Sequence, residues 1–115
     1  MDEILVQLNR VRGVGGSLLC SADGLPIATA LREGADESRL AAAVASLVES
    51  ASRMATMLQL GAVASTAATS DTGSILLLAA GNAYLVIVAD PAANLALLQL
   101  EAKPFVERIA QRLSL

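Results

Sequence analysis

The sequence predicts an α+β fold: one domain of order α-β-β-α-β-β-β-α, with a five-stranded antiparallel sheet. Residues 36–60 contain no Gly or Pro and repeat their apolar positions at helical period. The turn dipeptides Asp23-Gly24 and Gly81-Asn82 each join two short β-rich segments. Residues 74–80 and 83–89 are apolar at successive positions, a pattern typical of strands covered on both faces. We therefore expect the middle helix on one face and both terminal helices on the other.

The composition predicts a single domain that needs a partner. The chain has 115 residues, which we interpret as one domain over residues 1–115. Hydrophobic residues make up 55% of it, above the usual share for a domain of this size. Because a small domain has a high ratio of surface to volume, it cannot hide this much apolar surface alone. We expect an oligomer or a constitutive partner.

Several functional classes are disfavoured by residue types that are rare or missing. The net charge is −3 and aromatics are 2%, so the sequence supports neither phosphate tracking nor base stacking, and we expect no nucleic-acid partner. The chain has no His and one Cys, which removes imidazole ligands and nucleophile–His pairs. We expect no cofactor, no metal and no catalytic residues.

The apolar stretches do not indicate export or a membrane span. The first residues, MDEILVQLNRVRG, are charged and amphipathic, unlike a signal peptide, so the cytoplasm is the expected location. Residues 72–89 are uncharged and nearly long enough to span a bilayer. Gly81-Asn82 divides them into two β-rich arms, which predicts a hairpin and no integral membrane segment.

The first three elements follow from periodicity and turn chemistry. Residues 2–11 form an amphipathic pattern that predicts a helix, ended by Gly13. Residues 14–21 follow, with residues 17–20 (SLLC) as strand, and residues 25–31 are the return strand across Asp23-Gly24. Pro26 lacks an N–H, which favours an edge strand or a strand start.

The middle helix is predicted from an N-cap at Asp36 to Leu60, with Gly61 in the C′ position. Its expected core face comprises Leu40, Val44, Leu47, Val48, Ala51, Met54, Ala55 and Leu58. The opposite stripe includes Ser46, Glu49 and Arg53, of which the last two form an i,i+4 ion pair. One flank holds Ala41, Ala45 and Ser52, and the other holds Ala43, Ser50 and Met57. Because these side chains are small or soft, either flank could contact the helix of another subunit.

Three strands and a helix complete the chain. Residues 62–70 predict a strand rich in small residues, followed by strands at 74–80 and 83–89. Asp90 is the expected N-cap of the last helix, with Pro91 in its first turn. The core candidates of this helix are Leu95, Leu98, Phe105, Ile109 and Leu113. Pro104 should kink or break the helix.

The order of motifs resembles the roadblock family of dynein light chains and bacterial GTPase regulators. The matching segments are residues 8–17, which end in Val14-Gly15-Gly16-Ser17, residues 21–28 (SADGLPIA), residues 73–77 (GSILL), Ala93-Asn94-Leu95 and the closing amphipathic helix. The resemblance covers nearly the whole chain. Pro104 departs from the family pattern.

The resemblance implies a dimer in which the middle helices pack together and the third strands pair edge to edge. Residues 62–70 agree with it independently, since they contain no charge and no Pro to protect an exposed edge. The expected dimer interface comprises Ala41, Ala45, Ser52, Ser65 and Ala67. The resemblance also implies a small Ras-like GTPase as partner. Ser46, Glu49 and Arg53, on the exposed stripe of the middle helix, are the candidate contacts, and the alternative for Glu49 and Arg53 is a solvated ion pair.

Other interpretations remain open at the level of sequence. The chain could be a structural, light-chain-like adaptor that bridges larger proteins, or a small-ligand sensor domain. Gly13-Val14-Gly15-Gly16 could suggest a phosphate loop, but it lacks the G-K-[ST] ending and is interpreted as a turn. Cys20 is interpreted as a buried strand residue and Asp23 as a turn residue, because no His or neighbouring base marks either as reactive.

Overall fold

The computed structural model describes residues 1–114 and confirms the predicted order of elements. The helices are α1 (Asp2–Leu8), α2 (Glu37–Met57) and α3 (Leu95–Leu113). The strands are β1 (Val14–Ser21), β2 (Pro26–Ala30), β3 (Ser65–Ser70), β4 (Gly73–Ala80) and β5 (Ala83–Ala89).

The five strands form one antiparallel sheet in the order β2-β1-β5-β4-β3. Side chains alternate across it, so neighbouring residues of β1 enter two different cores. Leu19 packs with α1 and α3, whereas Leu18 packs with α2. The prediction that the middle helix covers one face and the terminal helices cover the other is therefore confirmed.

The first helix ends at Leu8, three residues before the predicted end. Asn9 leaves the helix because its side chain bonds to the sheet. Its Nδ2 donates to the Ala30 carbonyl at 2.7 Å, and its Oδ1 accepts from the Ser17 hydroxyl at 2.7 Å. Ser17 is fully buried, so Asn9 satisfies a hydroxyl that water does not reach.

The middle helix begins as predicted and ends earlier. Asp36 accepts a hydrogen bond from the Arg39 N–H at 3.0 Å, which confirms the N-cap. The helix ends at Met57, and the left-handed residue in the C′ position is Gln59 (φ 57°), two residues before Gly61, which also has a positive φ (83°). The Leu60 N–H donates to the Ala55 carbonyl and the Gln59 N–H to the Thr56 carbonyl, which is a Schellman motif. The prediction of Gly61 at C′ was wrong because these bonds form around Gln59.

The core face of α2 is rotated and shortened relative to the prediction. Val44 and Ala55 are buried as expected, and so is Ala41. Met54 and Leu58, predicted in the core, are 57% and 62% exposed. Neither side chain belongs to the core cluster that α2 forms with the sheet, although Ala55 between them is buried.

The last helix begins at Leu95 with Asn94 as its N-cap, which corrects the predicted start at Asp90 and Pro91. The Asn94 Oδ1 accepts from the Leu97 N–H at 3.1 Å. Asp90 lies in a turn instead, because its N–H donates to the Gly13 carbonyl at 2.9 Å and its carbonyl accepts from Ala93.

Pro104 does not break α3, which continues from Leu95 to Leu113. The proline is exposed and lies on the solvent side of the helix. Water can therefore satisfy the Leu100 carbonyl, which the missing N–H of Pro104 leaves without a helical donor.

Two strands are shorter than predicted, and the sheet contains the hairpin proposed for the long apolar stretch. β2 spans Pro26–Ala30 at the edge of the sheet, as the proline indicated, and β3 begins only at Ser65. β4 and β5 form the hairpin across Gly81-Asn82. Within residues 1–114, no helix has the length and apolar character needed to cross a membrane.

Candidate protein-interaction surface

The third strand is an unpaired sheet edge. Among residues 1–114, the backbone of β3 pairs with β4 alone, through six consecutive residue pairs from Ser65–Leu78 to Ser70–Gly73. Ala67, predicted at the dimer interface, is exposed on this edge. An edge with regular register and no charge or proline can accept a further strand.

The C-terminal end of α2 is a second surface with unusual exposure. Four large apolar side chains there are mostly exposed: Met54 57%, Met57 77%, Leu58 62% and Leu60 68%. Such a cluster on one short segment is typical of a site that a protein partner covers. We call these four residues the apolar end of α2.

The outer stripe of α2 is polar and open. Ser46, Glu49 and Arg53 are all exposed, as the sequence predicted. The Arg53 guanidinium donates to the Glu49 carboxylate at 3.3 Å, which confirms the i,i+4 pair. In solvent such a pair stabilises the helix by only a few tenths of a kcal/mol, so it is free to exchange partners.

The predicted dimer residues on the other flank of α2 do not share one environment. Ala41 is fully buried in the core of its own chain, so it has no surface to offer a partner. Ala45 is half-buried against the β1–β2 turn, where a Cβ on Gly24 would lie 3.2 Å from its methyl group. Only Ser52 is exposed.

Ser52 and Ser65, predicted separately on α2 and β3, lie together. Both line a narrow cleft of about 10 Å³ between the helix and the edge strand, with Val48, Thr66 and Leu77. Ser65 also accepts a hydrogen bond from Gln99 of α3 at 3.1 Å. The second half of α2 thus reaches the β3 edge.

An open groove of about 690 Å³ lies beside the first half of α2. Leu40 and Ala43 form its helical wall, and Gly73 and Val88 belong to its sheet side. The sequence does not predict this groove, because its lining residues come from segments that are far apart along the chain.

The remaining candidates are structural. Cys20 is buried and free, and its burial raises the pKa of the thiol, which disfavours the reactive thiolate. The Ser21 hydroxyl donates a hydrogen bond to the Asp23 carboxylate, and this bond fixes the hairpin turn. The same bond lowers the pKa of the Asp23 carboxyl. Gly15 and Gly16 lie within β1 and do not form a phosphate loop. No cluster of side chains that could hold a metal ion occurs in the part of the chain described.

Comparison with known proteins identifies relatives that share the sequence pattern and the fold of this chain. Residues 1–89 match the family model described as the Roadblock/LC7 domain. An uncharacterized protein of Methanocaldococcus jannaschii is 30% identical over 109 residues, covering 95% of this chain and 96% of its own.

Two solved structures share the architecture. A Roadblock/LC7 domain from Streptomyces avermitilis superposes with a TM-score of 0.91 at 21% identity, covering 100% of this chain and 98% of its own. The gliding protein mglB from Thermus thermophilus has a TM-score of 0.83 at 24% identity, covering 95% of this chain and 84% of its own. At these identities the two structures show the fold.

Proposed function

This chain belongs to the Roadblock/LC7 domain family, and from that premise we propose that it is a homodimeric regulatory module that binds a small Ras-like GTPase. The module modulates the hydrolysis of GTP by that partner or its localisation. Family membership over residues 1–89 is the observation that carries the proposal. The whole chain acts as one domain, since α3 packs on the same sheet as α1.

The surface features support a dimer and a protein partner. The open β3 edge suits pairing with the same strand of a second copy, and the apolar end of α2 needs cover. Ser52, Ser65 and Ala67 lie at or beside this edge, with Ala45 nearer the β1–β2 turn. The partner class implies a cytoplasmic location.

The module acts on the GTPase by positioning and not by supplying reactive groups. Hydrolysis in this class needs an oriented water and cationic stabilisation of the transferred phosphoryl group. Ser46, Glu49 and Arg53 can bind a partner and hold its switch residues in place. No feature of Arg53 beyond its charge and exposure marks it as a group inserted into the partner's site.

The test first isolates a GTPase partner from the cells in which this protein occurs. Affinity purification of the tagged protein should retain a small protein carrying a G-x-x-x-x-G-K-[ST] loop. The purified pair is then compared by affinity, by GTP turnover and by localisation of the GTPase with and without the module. Unchanged values of all three would overturn the proposal, and retention of only a large motor or filament subunit would favour a structural adaptor.

A charge reversal locates the contact. Arg53→Glu should weaken GTPase binding tenfold or more, because it replaces the only cation in the middle of the outer stripe and repels Glu49. Lys103→Glu is the matched control, since Lys103 is also exposed but lies on α3, across the sheet. An equal loss in both variants would show a general charge effect and place the contact elsewhere.

A further inference from the structure

The β1–β2 hairpin presents apolar side chains at the edge of the sheet opposite β3. Leu25 is 62% exposed and Ile27 is 48% exposed, and Pro26 between them is exposed as well. Leu25 and Ile27 lie outside the two core clusters that residues 1–114 form. Three consecutive exposed apolar residues are typical of a site that a protein partner covers. We call Leu25, Pro26 and Ile27 the hairpin patch.

A β-bulge directs the hairpin patch towards the α2 side of the sheet. Cys20 pairs with Pro26. Leu19 pairs with Ala28, so Ile27 is the extra residue of the bulge. Ala28 enters the core with α1 and α3, whereas Cys20 packs in the cluster beneath α2. Because neighbouring side chains of a strand alternate, Ile27 lies on the same side as α2.

Hydrogen bonds and packing fix the hairpin against α2. The Leu25 N–H donates to the Ser21 hydroxyl oxygen at 3.1 Å, and the Ser21 N–H donates to the Leu25 carbonyl at 2.9 Å. A Cβ on Gly24 would lie 3.2 Å from the Ala45 methyl group and 3.3 Å from the Ala41 carbonyl oxygen, so the turn contacts the helix directly. A surface that is already rigid loses little conformational entropy when a partner binds it.

The hairpin patch continues into the outer stripe of α2. Ala45, which contacts the turn, precedes Glu49 by one helical turn, and Glu49 is exposed. Asp23, next to Gly24 in the turn, is exposed as well. The apolar patch therefore has carboxylates at its rim. Such a surface fits a protein that presents apolar side chains beside Lys or Arg.

The outer stripe alone is too small for a specific interface, which buries about 800 Å² on each partner. Binding energy is concentrated in the fully covered centre of an interface, whereas charged residues at the rim contribute little. Ser46, Glu49 and Arg53 are all polar and exposed. The hairpin patch supplies the apolar centre that the stripe lacks.

We propose that the small GTPase binds across the hairpin patch and the outer stripe of α2, with the patch as the centre of the contact and Asp23 and Glu49 at its rim. This rests on the proposed function and adds where on the chain the partner binds. β2 and β3 are opposite edges of the sheet, and the groove wall of Leu40 and Ala43 lies on the other flank of α2. Pairing of β3 with a second copy therefore leaves the hairpin patch free in each chain.

Matched charge substitutions on the two faces of the sheet test the contact. Ile27→Asp should weaken binding of the GTPase retained in the affinity purification tenfold or more, because it places a carboxylate in the apolar centre. Val6→Asp is the matched control, since Val6 is 50% exposed and also β-branched but lies on α1, on the opposite face. It should change the affinity less than twofold. Titration calorimetry with the purified GTPase measures both variants, and thermal unfolding checks that both are folded.

A photo-cross-linking side chain tests the same contact without introducing a charge. Replacement of Leu25 by p-benzoylphenylalanine should give a covalent adduct with the GTPase on irradiation, because the side chain at this position is exposed and lies within the patch. The same replacement at Val6 should give none. If Ile27→Asp proves to be unfolded, the adduct at Leu25 decides the result.

The outcomes separate this inference from the proposed function. If the GTPase binds the unchanged chain but Ile27→Asp loses no more affinity than Val6→Asp, or Leu25 gives no adduct, the hairpin contact is overturned and the binding of a GTPase stands. If the unchanged chain binds no GTPase, both are overturned.

Discussion

The two edges of the sheet differ in whether a further strand can pair with them. At β2, Pro26 has no N–H to donate, and the register shift next to Cys20 leaves Ile27 without a partner. The Asn9 side chain also occupies the carbonyl of Ala30. At β3, six residue pairs follow in regular register, and no charge, proline or bulge interrupts them.

The difference shows which edge is closed and which is open. Prolines and bulges are the usual means by which proteins prevent unwanted strand pairing. β2 carries both in five residues, although it is no more exposed than β3. The absence of such devices at β3 is therefore selective and favours an edge that pairs with a partner.

The largest expected effect comes from charging the open edge. Ala67→Glu should raise the dimer dissociation constant tenfold or more, because two carboxylates would face each other across paired β3 strands. Thr29→Glu places the same charge on β2 and should change it less than twofold. Sedimentation over a concentration series measures both. Equal effects at the two edges would contradict the assigned roles.

The hydrogen bonds beside the two edges should differ in how much they contribute to the free energy of unfolding. Asn9→Ala leaves the buried Ser17 hydroxyl with only a 3.4 Å contact to the Leu5 carbonyl, and should lower the free energy of unfolding by about 1–3 kcal/mol. Gln99→Ala removes the exposed bond to Ser65 at β3 and should cost less than about 0.5 kcal/mol. Urea denaturation compares the variants, and similar losses would show that burial does not decide the difference.

A smaller effect is expected where α2 leads into β3. Gln59 has φ 57°, which a residue with a Cβ adopts only at a cost. Gln59→Gly should raise the free energy of unfolding by about 0.5–1 kcal/mol. Gln111→Gly, within α3, should lower it by about 1 kcal/mol. Destabilisation by both substitutions would mean that the Gln59 side chain makes a contribution beyond its backbone conformation.

The smallest effect concerns α1, which carries Asn9 towards the β2 edge. A hydrogen bond from its own backbone, then bonds from the N-terminal ammonium and Arg112, lower the pKa of Glu3 from 4.5 to about 2. Stability from this lowered pKa is present above pH 4.5 and is lost as the pH falls towards 2. Glu3→Gln should flatten the fall in thermal midpoint over that range. An unchanged pH profile would contradict a folded-state pKa this low.

Local patterns predicted most of the fold but not where elements end. The strand β5 matches its predicted bounds, because turn residues define both ends, whereas β1 begins at Val14, three residues before the strand predicted at residues 17–20. α1 ended early because Asn9 bonds to Ser17 and Ala30, which lie far along the chain. For α3, both Asp90 and Asn94 can cap a helix, and the bond from Asp90 to Gly13 decided between them.

For the candidate site, the sequence identified the elements but not the sides of the helix. The sequence predicted the open β3 edge from its residue types, and it predicted the exposed pair Glu49–Arg53 from helical spacing. Which of Ala41 and Met54 is buried could not be predicted from the sequence. Helical period places both near the boundary of the apolar face, and the sheet beneath decides which one is covered.

The sequence by itself determined the order of elements, the two covered faces of the sheet, the uncharged third strand and the surplus of apolar residues. Those properties depend on composition and short-range periodicity, which act before the chain is packed. Only the tertiary structure decided that α2 crosses from β1 and β2 to the β3 edge. That crossing buries Ala41, exposes Met54 and opens the groove, because side chains are covered by whichever strand lies beneath them.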